Sequence, residues 1–249
     1  MTTTFTIWGI FIAALITALA TGLGAIPFFF ARNISERWLS ISNAIAAGLM
    51  LGASHSLIVE GMHKGNYRAL LGILIGLFFM LILHGWLHQH EADLHVGELE
   101  GANAVKALLI MGVMTLHSFA EGVGVGVSFG GGDALGSLIT AAIAIHNIPE
   151  GLAISAVLVP RGIKPTRAGL LSIVSSLPQP LMAVPAFLFV TMFVTILPIG
   201  LGFAAGAMIW MVFSELIPET LEDLDHSTAA LIITLAFTAM VAFQVLLQG

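Results

Sequence analysis

The sequence predicts an all-α integral membrane protein forming a single domain over residues 1–249, and three observations carry that expectation. Of the 249 residues, 58% are hydrophobic and only 9% are charged, whereas a soluble domain carries about 25% charged residues. Eight apolar runs, each near the roughly 20 residues needed to cross a hydrocarbon core, alternate with short polar stretches. The few ionisable residues inside those runs recur in a fixed spacing.

The runs cover approximately 5–30, 38–60, 68–88, 104–129, 135–159, 166–190, 195–218 and 227–248. In the first, Ala18-Leu19-Ala20 resembles a signal-peptide cleavage site. No basic stretch precedes it, however, and apolar residues continue to Phe30, so it reads as a span. The second carries His55 and Glu60. After the third comes a tract with His84, His88, His90, His95, Glu91 and Asp93, so residues 89–103 read as a short His-containing loop suited to weak metal capture. The fourth and fifth runs hold the phrases His117-Ser118-Phe119-Ala120-Glu121-Gly122 and His146-Asn147-Ile148-Pro149-Glu150-Gly151. The sixth sets Pro178, Pro180 and Pro185 around Gln179, the mark of a broken helix. The seventh ends in Ser214, Glu215 and Glu219, followed by Glu222, Asp223, Asp225 and His226, and the eighth is apolar to the C-terminus.

Short connections make consecutive runs antiparallel neighbours. Arg32, Arg37, Lys106, Arg161, Lys164 and Arg167 then share one face, against Lys64 and Arg68 on the other. The excess of basic residues puts the first face in the cytoplasm and both termini outside a cell (inner or plasma) membrane. Cysteine is absent, which excludes disulfides and thiolate metal sites. The formal charge of −6 and the lack of a basic run exclude nucleic acid as a partner; the bilayer and a cation are the expected partners, and a homodimer is compatible with them.

Each His-x-x-x-Glu phrase puts an imidazole and a carboxylate on one helix face, a turn apart. A carboxylate at the centre of a membrane helix costs about 2.5–3.5 kcal/mol, so two of them need a positive counterpart. Two neutral imidazoles and two carboxylates carry −2, which a divalent ion cancels. Four N/O donors suit Zn²⁺ and are compatible with Fe²⁺, Mn²⁺ or Cd²⁺. The bland alternative makes the same groups hydrogen-bond partners that lock a bundle. Pro149 leaves the carbonyl of Ile145 without its helical donor beside the site. Gly122, Gly126 and Gly130 recur every fourth residue, a spacing for close helix packing.

The second and seventh runs share a pattern, Ala46-Ala47-Gly48-Leu49-Met50 with Leu57-Ile58-Val59-Glu60 against Ala204-Ala205-Gly206-Ala207-Met208 with Leu216-Ile217-Pro218-Glu219. As these runs point in opposite directions, the match implies an inverted repeat pairing runs 1–3 with 6–8 around the central pair, the symmetry that underlies alternating access. His55 and Glu60 then flank an outer mouth, and Ser214, Glu215 and Glu219 an inner one. The expected function is import of zinc or a related divalent cation through a midplane site. The rival is an intramembrane zinc-dependent hydrolase, with three ligands holding zinc and a glutamate activating water; no nucleophile pattern or accessory domain supports it.

At these residues the sequence resembles the ZIP (Zrt/Irt-like) family of metal transporters over essentially the whole chain. The resemblance implies uptake into the cytoplasm by alternating access, with helices 1, 4, 5 and 6 moving as a unit. It also implies two adjacent ions, the first on His117, Glu121, His146 and Glu150 and the second on Ser118, Asn147, Glu150 and Gln179. The chain departs from the family at Ser118, where Asn is frequent, at Gln179, where Glu is frequent, and at Ser214, where His often precedes Glu. An amide in place of a carboxylate removes a full negative charge, so the second position is expected to be weak or empty.

Overall fold

The computed structural model describes residues 6–31, 34–89 and 102–248. Among these the chain is helical with short connections: α1 (Ile7–Leu23), α2 (Glu36–Gln89), α3 (Ala102–Gly131), α4 (Asp133–Leu158), α5 (Pro165–Ser175), α6 (Pro178–Met192), α7 (Leu197–Met211), α8 (Ile217–Asp223) and α9 (His226–Gln248). Six stretches among the described residues are long and apolar enough to cross a membrane: Ile7–Phe29, Glu36–Gly85, Asp133–Leu158, Pro165–Met192, Val194–Asp223 and His226–Leu246. The protein is a multi-pass helical membrane protein, and its outer surface suits lipid. Leu70, Leu74, Phe78, Leu81 and Ile82 form an exposed apolar side of α2 that water would penalise.

Local chemistry sets the boundaries. Thr6 caps α1 by accepting the Gly9 N–H at 3.1 Å. Before α9, the Asp225 carboxylate accepts the Thr228 hydroxyl at 2.6 Å and the backbone N–H groups of Thr228 and Ser227. These bonds, the Thr228 hydroxyl first, hold the Asp225 carboxyl below the usual carboxylate range.

Three breaks differ in form from the sequence expectation. The second and third runs are two arms of α2, separated only by Gly65 (φ 162°, ψ 96°). A Cβ on Gly61 would lie 3.3 Å from Cβ of Ala69, although eight residues along a straight helix are about 12 Å apart; the chain therefore folds back at this point. The sixth run divides into α5 and α6 at Ser176–Leu177, with Pro178 opening α6, where its missing N–H costs nothing, while α6 continues through Pro185. In the seventh, a π-helical turn at Val212–Leu216 joins α7 to α8, closed by the Ile217 N–H on the Val212 carbonyl. Pro218 has no N–H for the carbonyl four residues earlier, and the turn widens there.

The helices pack as two groups, α1 with α3–α6 and α2 with α7–α9. Within each, glycines bring backbones into contact. A Cβ added at Gly126 would sit 2.0 Å from the Ala183 carbonyl oxygen, at Gly151 1.6 Å from that of Thr21, at Gly206 2.2 Å from that of Ile73, and at Gly48 2.4 Å from that of Ile233. Between the groups the glycine contacts are with side chains instead: Gly124 faces the Ala204 methyl at 3.2 Å and Gly200 the Val127 methyls at 2.9 and 3.0 Å.

Candidate metal centre

α3 and α4 lie side by side, and their His-x-x-x-Glu faces meet. His117, Glu121, His146 and Glu150 are all buried, and one donor atom from each lies within 4.8 Å of every other. Nε2 of His117 is 2.8 Å from Oε1 of Glu150 and 3.3 Å from Oε1 of Glu121; Nε2 of His146 contacts Oε1 of Glu121 and is 3.9 Å from Oε1 of Glu150. Four donors at 2.0–2.2 Å around one tetrahedral ion stand about 3.3 Å apart. The four His–Glu separations bracket that value, so two nitrogens and two oxygens are placed to converge on one ion. Both imidazoles turn Nε2 inward, and both Nδ1 atoms are buried without a partner among the described residues.

α1 and α6 close the remaining sides. Gln179 donates from Nε2 to Oε2 of Glu121 at 2.6 Å. Its Oε1 accepts from Nδ2 of Asn147 at 3.2 Å and from the Thr17 hydroxyl, and Nδ2 of Asn147 also donates to the Thr17 carbonyl at 2.9 Å. One turn along α1, Thr21 and Ser176 hydroxyls meet at 2.8 Å. Asn147 and Gln179, which the family resemblance assigns to a second ion, are thus hydrogen-bonded to one another; Ser118 is buried on α3 next to His117.

The outlying candidates fall at two cavities and in the π turn. His55 and Glu60 line a cavity of about 300 Å³ with Ser56, His63 and the end of α9, and Glu60 pairs with Lys64 at 2.8 Å. Glu219 accepts Nδ2 of Asn43 at 2.9 Å and faces a cavity of about 390 Å³ that also holds Glu36, Arg161, Glu222 and Asp223. Along α2, Asn43 and Glu60 are about 25 Å apart, so the cavities open at opposite ends. Ser214 and Glu215 occupy the π turn. His84, grouped with the His-rich tract in the sequence, is instead in α2, where its Nδ1 is 3.2 Å from Glu215 and its ring packs on Trp210. His90, Glu91, Asp93 and His95, and with them most of the expected 89–103 loop, lie outside the described residues. Sequence reasoning missed Thr17, Asn43 and His63. The Thr17/Thr21 pair, four apart in an otherwise apolar run, is the signal that could have exposed the first.

A family described as the ZIP zinc transporters matches residues 84–244. The chain belongs to the ZIP family. A putative zinc transporter of Arabidopsis thaliana is 47% identical over 235 residues, 93% of this chain but 38% of its own length. The zinc transporter ZIPB of Bordetella bronchiseptica is 37% identical over 243 residues, 90% of this chain and 76% of its own. The zinc transporter GufA of Myxococcus xanthus is 34% identical over 222 residues, 84% and 87% respectively. The chain therefore spans well under half of the plant relative and most of the two bacterial ones. A ZIP protein is a zinc transporter and not an enzyme, and the hydrolase alternative falls on that ground.

Proposed function

We propose that the protein carries Zn²⁺, with Fe²⁺, Mn²⁺ and Cd²⁺ as further candidates, into the cytoplasm by alternating access, on the four donors His117, Glu121, His146 and Glu150. The observation that carries this reading is the convergence of those four buried donors from two adjacent helices. Their −2 charge in a membrane interior is neutralised by one divalent cation. The cation is drawn in past His55 and Glu60, exchanges water for the four donors, and leaves past Ser214, Glu215 and Glu219. A second ion on Ser118, Asn147, Glu150 and Gln179 is weak or absent, because only Glu150 there is charged. Affinity at the centre is moderate, since an ion held as in a structural site would not leave.

The same proposal takes eight spans, both termini outside, and an inverted repeat of runs 1–3 and 6–8. Support for the repeat comes from packing: the matched glycines Gly48 and Gly206 press on α9 and on the second arm of α2, the eighth and third runs, which the repeat makes equivalent. The group α1 with α3–α6 corresponds to the unit expected to move, and the side-chain contacts along its boundary suit sliding. Zinc uptake by proteoliposomes tests the assignment. His117→Ala, Glu121→Ala, His146→Ala and Glu150→Ala should each lose most uptake; retention of parental uptake by His117→Ala and Glu150→Ala would refute it.

A further inference from the structure

The second oxygen of Glu121 is not free to bind an ion. Oε1 faces the imidazoles, while Oε2 accepts the Gln179 amide at 2.6 Å. That amide has only one workable orientation: its oxygen receives the Asn147 NH₂, which the Thr17 carbonyl holds in place, and a flipped amide would set oxygen against carboxylate oxygen and NH₂ against NH₂; the Thr17 hydroxyl, whose one proton is shared with the Ala14 carbonyl, lies against the same oxygen. Thr17, Asn147 and Gln179 are all buried, so water does not compete for these bonds. The α6 backbone carrying Gln179 is held against α3 by Gly122, where an added Cβ would come 2.5 Å from the Gln179 carbonyl oxygen.

We infer that Gln179, anchored by Thr17 and Asn147, is a specificity-determining positioning residue that restrains Glu121 to one-oxygen binding, so that the centre offers one protein donor fewer than its four residues could supply and favours a four-coordinate cation such as Zn²⁺ over the six-coordinate Mn²⁺. The inference rests on the assignment of the four donors proposed above. The physical step is a count of donors. A carboxylate can give a cation one oxygen or two, and a charge-assisted hydrogen bond on the second oxygen opposes the two-oxygen mode. Two imidazole nitrogens and one oxygen from each carboxylate complete a tetrahedron, the usual arrangement for zinc, whereas Mn²⁺ is suited by octahedral oxygen-rich sites, so each carboxylate oxygen withheld from the ion favours zinc. Removing the amide releases Oε2 and adds one available donor.

The test compares the parent with Gln179→Leu, Thr17→Val and Thr17→Ser. Zinc-edge X-ray absorption of the purified, zinc-loaded protein should give the same number of N/O neighbours in the parent and in Thr17→Ser, about one more in Gln179→Leu, and an intermediate increase in Thr17→Val. In proteoliposomes, the ratio of Zn²⁺ to Mn²⁺ uptake efficiency should fall roughly tenfold in Gln179→Leu, less in Thr17→Val, and return toward the parental value in Thr17→Ser. If Gln179→Leu does not fold, the Thr17 pair decides by the same two readouts. Unchanged coordination number and unchanged selectivity in a folded variant that still takes up zinc would overturn the inference while leaving the four-donor assignment intact. Parental uptake by His117→Ala and Glu150→Ala would instead remove the assignment itself.

Discussion

The contact between α3 and α6 at Gly126 yields a quantitative expectation. In Gly126→Ala the new methyl would sit 2.0 Å from the carbonyl oxygen of Ala183 and 2.8 Å from its carbon. A carbon approaches a backbone oxygen to about 3.3 Å at closest, so α6 must retreat by about 1.3 Å. The obstacle is backbone, and no rotamer change relieves it. Gln179 stands one turn away on α6, so a rigid retreat stretches its 2.6 Å bond to Glu121 beyond hydrogen-bonding range. Overpacking costs about 1–3 kcal/mol and the bond to a charged group about 1.5–3 kcal/mol, against roughly 1 kcal/mol gained from alanine in a helix. The net loss is on the order of 2–4 kcal/mol, a fall in melting temperature of about 5–15 °C for a chain of this size. Intrinsic tryptophan fluorescence in detergent would follow the melt. The control is Gly124→Ala on the same helix, whose methyl meets the Ala204 methyl at 3.2 Å across the group boundary and needs a shift of only a few tenths of an ångström. Equal melting temperatures for Gly126→Ala and the parent would refute the claim that α3 and α6 are fastened at backbone contact.

Two further expectations concern charge. Gln179→Glu replaces the amide donor with a second carboxylate beside Glu121, and two facing anions need a cation between them; bound zinc per protein, measured by elemental analysis, should rise from one toward two, and an unchanged ratio would count against it. Glu219→Gln removes one anionic oxygen from the inner cavity while preserving a partner for Asn43; zinc kcat should fall severalfold with little change in KM, and an unchanged kcat would remove Glu219 from the release path.

The four central donors are legible in the sequence because a spacing of four is imposed by the helix itself: once residues 104–129 and 135–159 are helical, each His and Glu must share a face whatever surrounds them. Gly122 and Gly126 are legible for the same reason, and they meet α6 at Gln179 and Ala183 as a four-residue period requires. The Thr17/Thr21 spacing marks a polar stripe on α1 but not what that stripe meets, because its partners depend on α1 lying against both α4 and α6, a long-range contact that no local period encodes. The break between the arms of α2 is legible in its place but not in its form. Residues 61–67 are polar enough to read as a loop, yet one non-helical glycine turns the chain while its neighbours stay helical. The π turn arises from Pro218 acting on a carbonyl one turn back, and a sequence reading that counts apolar length passes over it. His84 was drawn into the His-rich tract by composition, although helical reach carries it to Glu215.

The division of labour between the two helix groups bears on transport. All four central donors, and the Thr17–Asn147–Gln179 network behind them, come from α1, α3, α4 and α6. The ionisable residues proposed for entrance and exit come from the other group: His55 and Glu60 from α2, Glu215 from the π turn and Glu219 from α8. On the proposed mechanism an ion bound at the centre would therefore move with one group without exchanging a ligand, and its binding energy need not vary along the way. What would change is which of the two cavities the centre faces. Backbone contacts at glycine hold each group rigid, whereas methyl-lined contacts between Gly124 and Ala204 and between Gly200 and Val127 offer no hydrogen bonds to break during the passage. On the proposed mechanism, the low barrier to sliding and the fixed geometry of the centre have one origin, the placement of glycines at backbone contact inside the groups and side-chain contact between them.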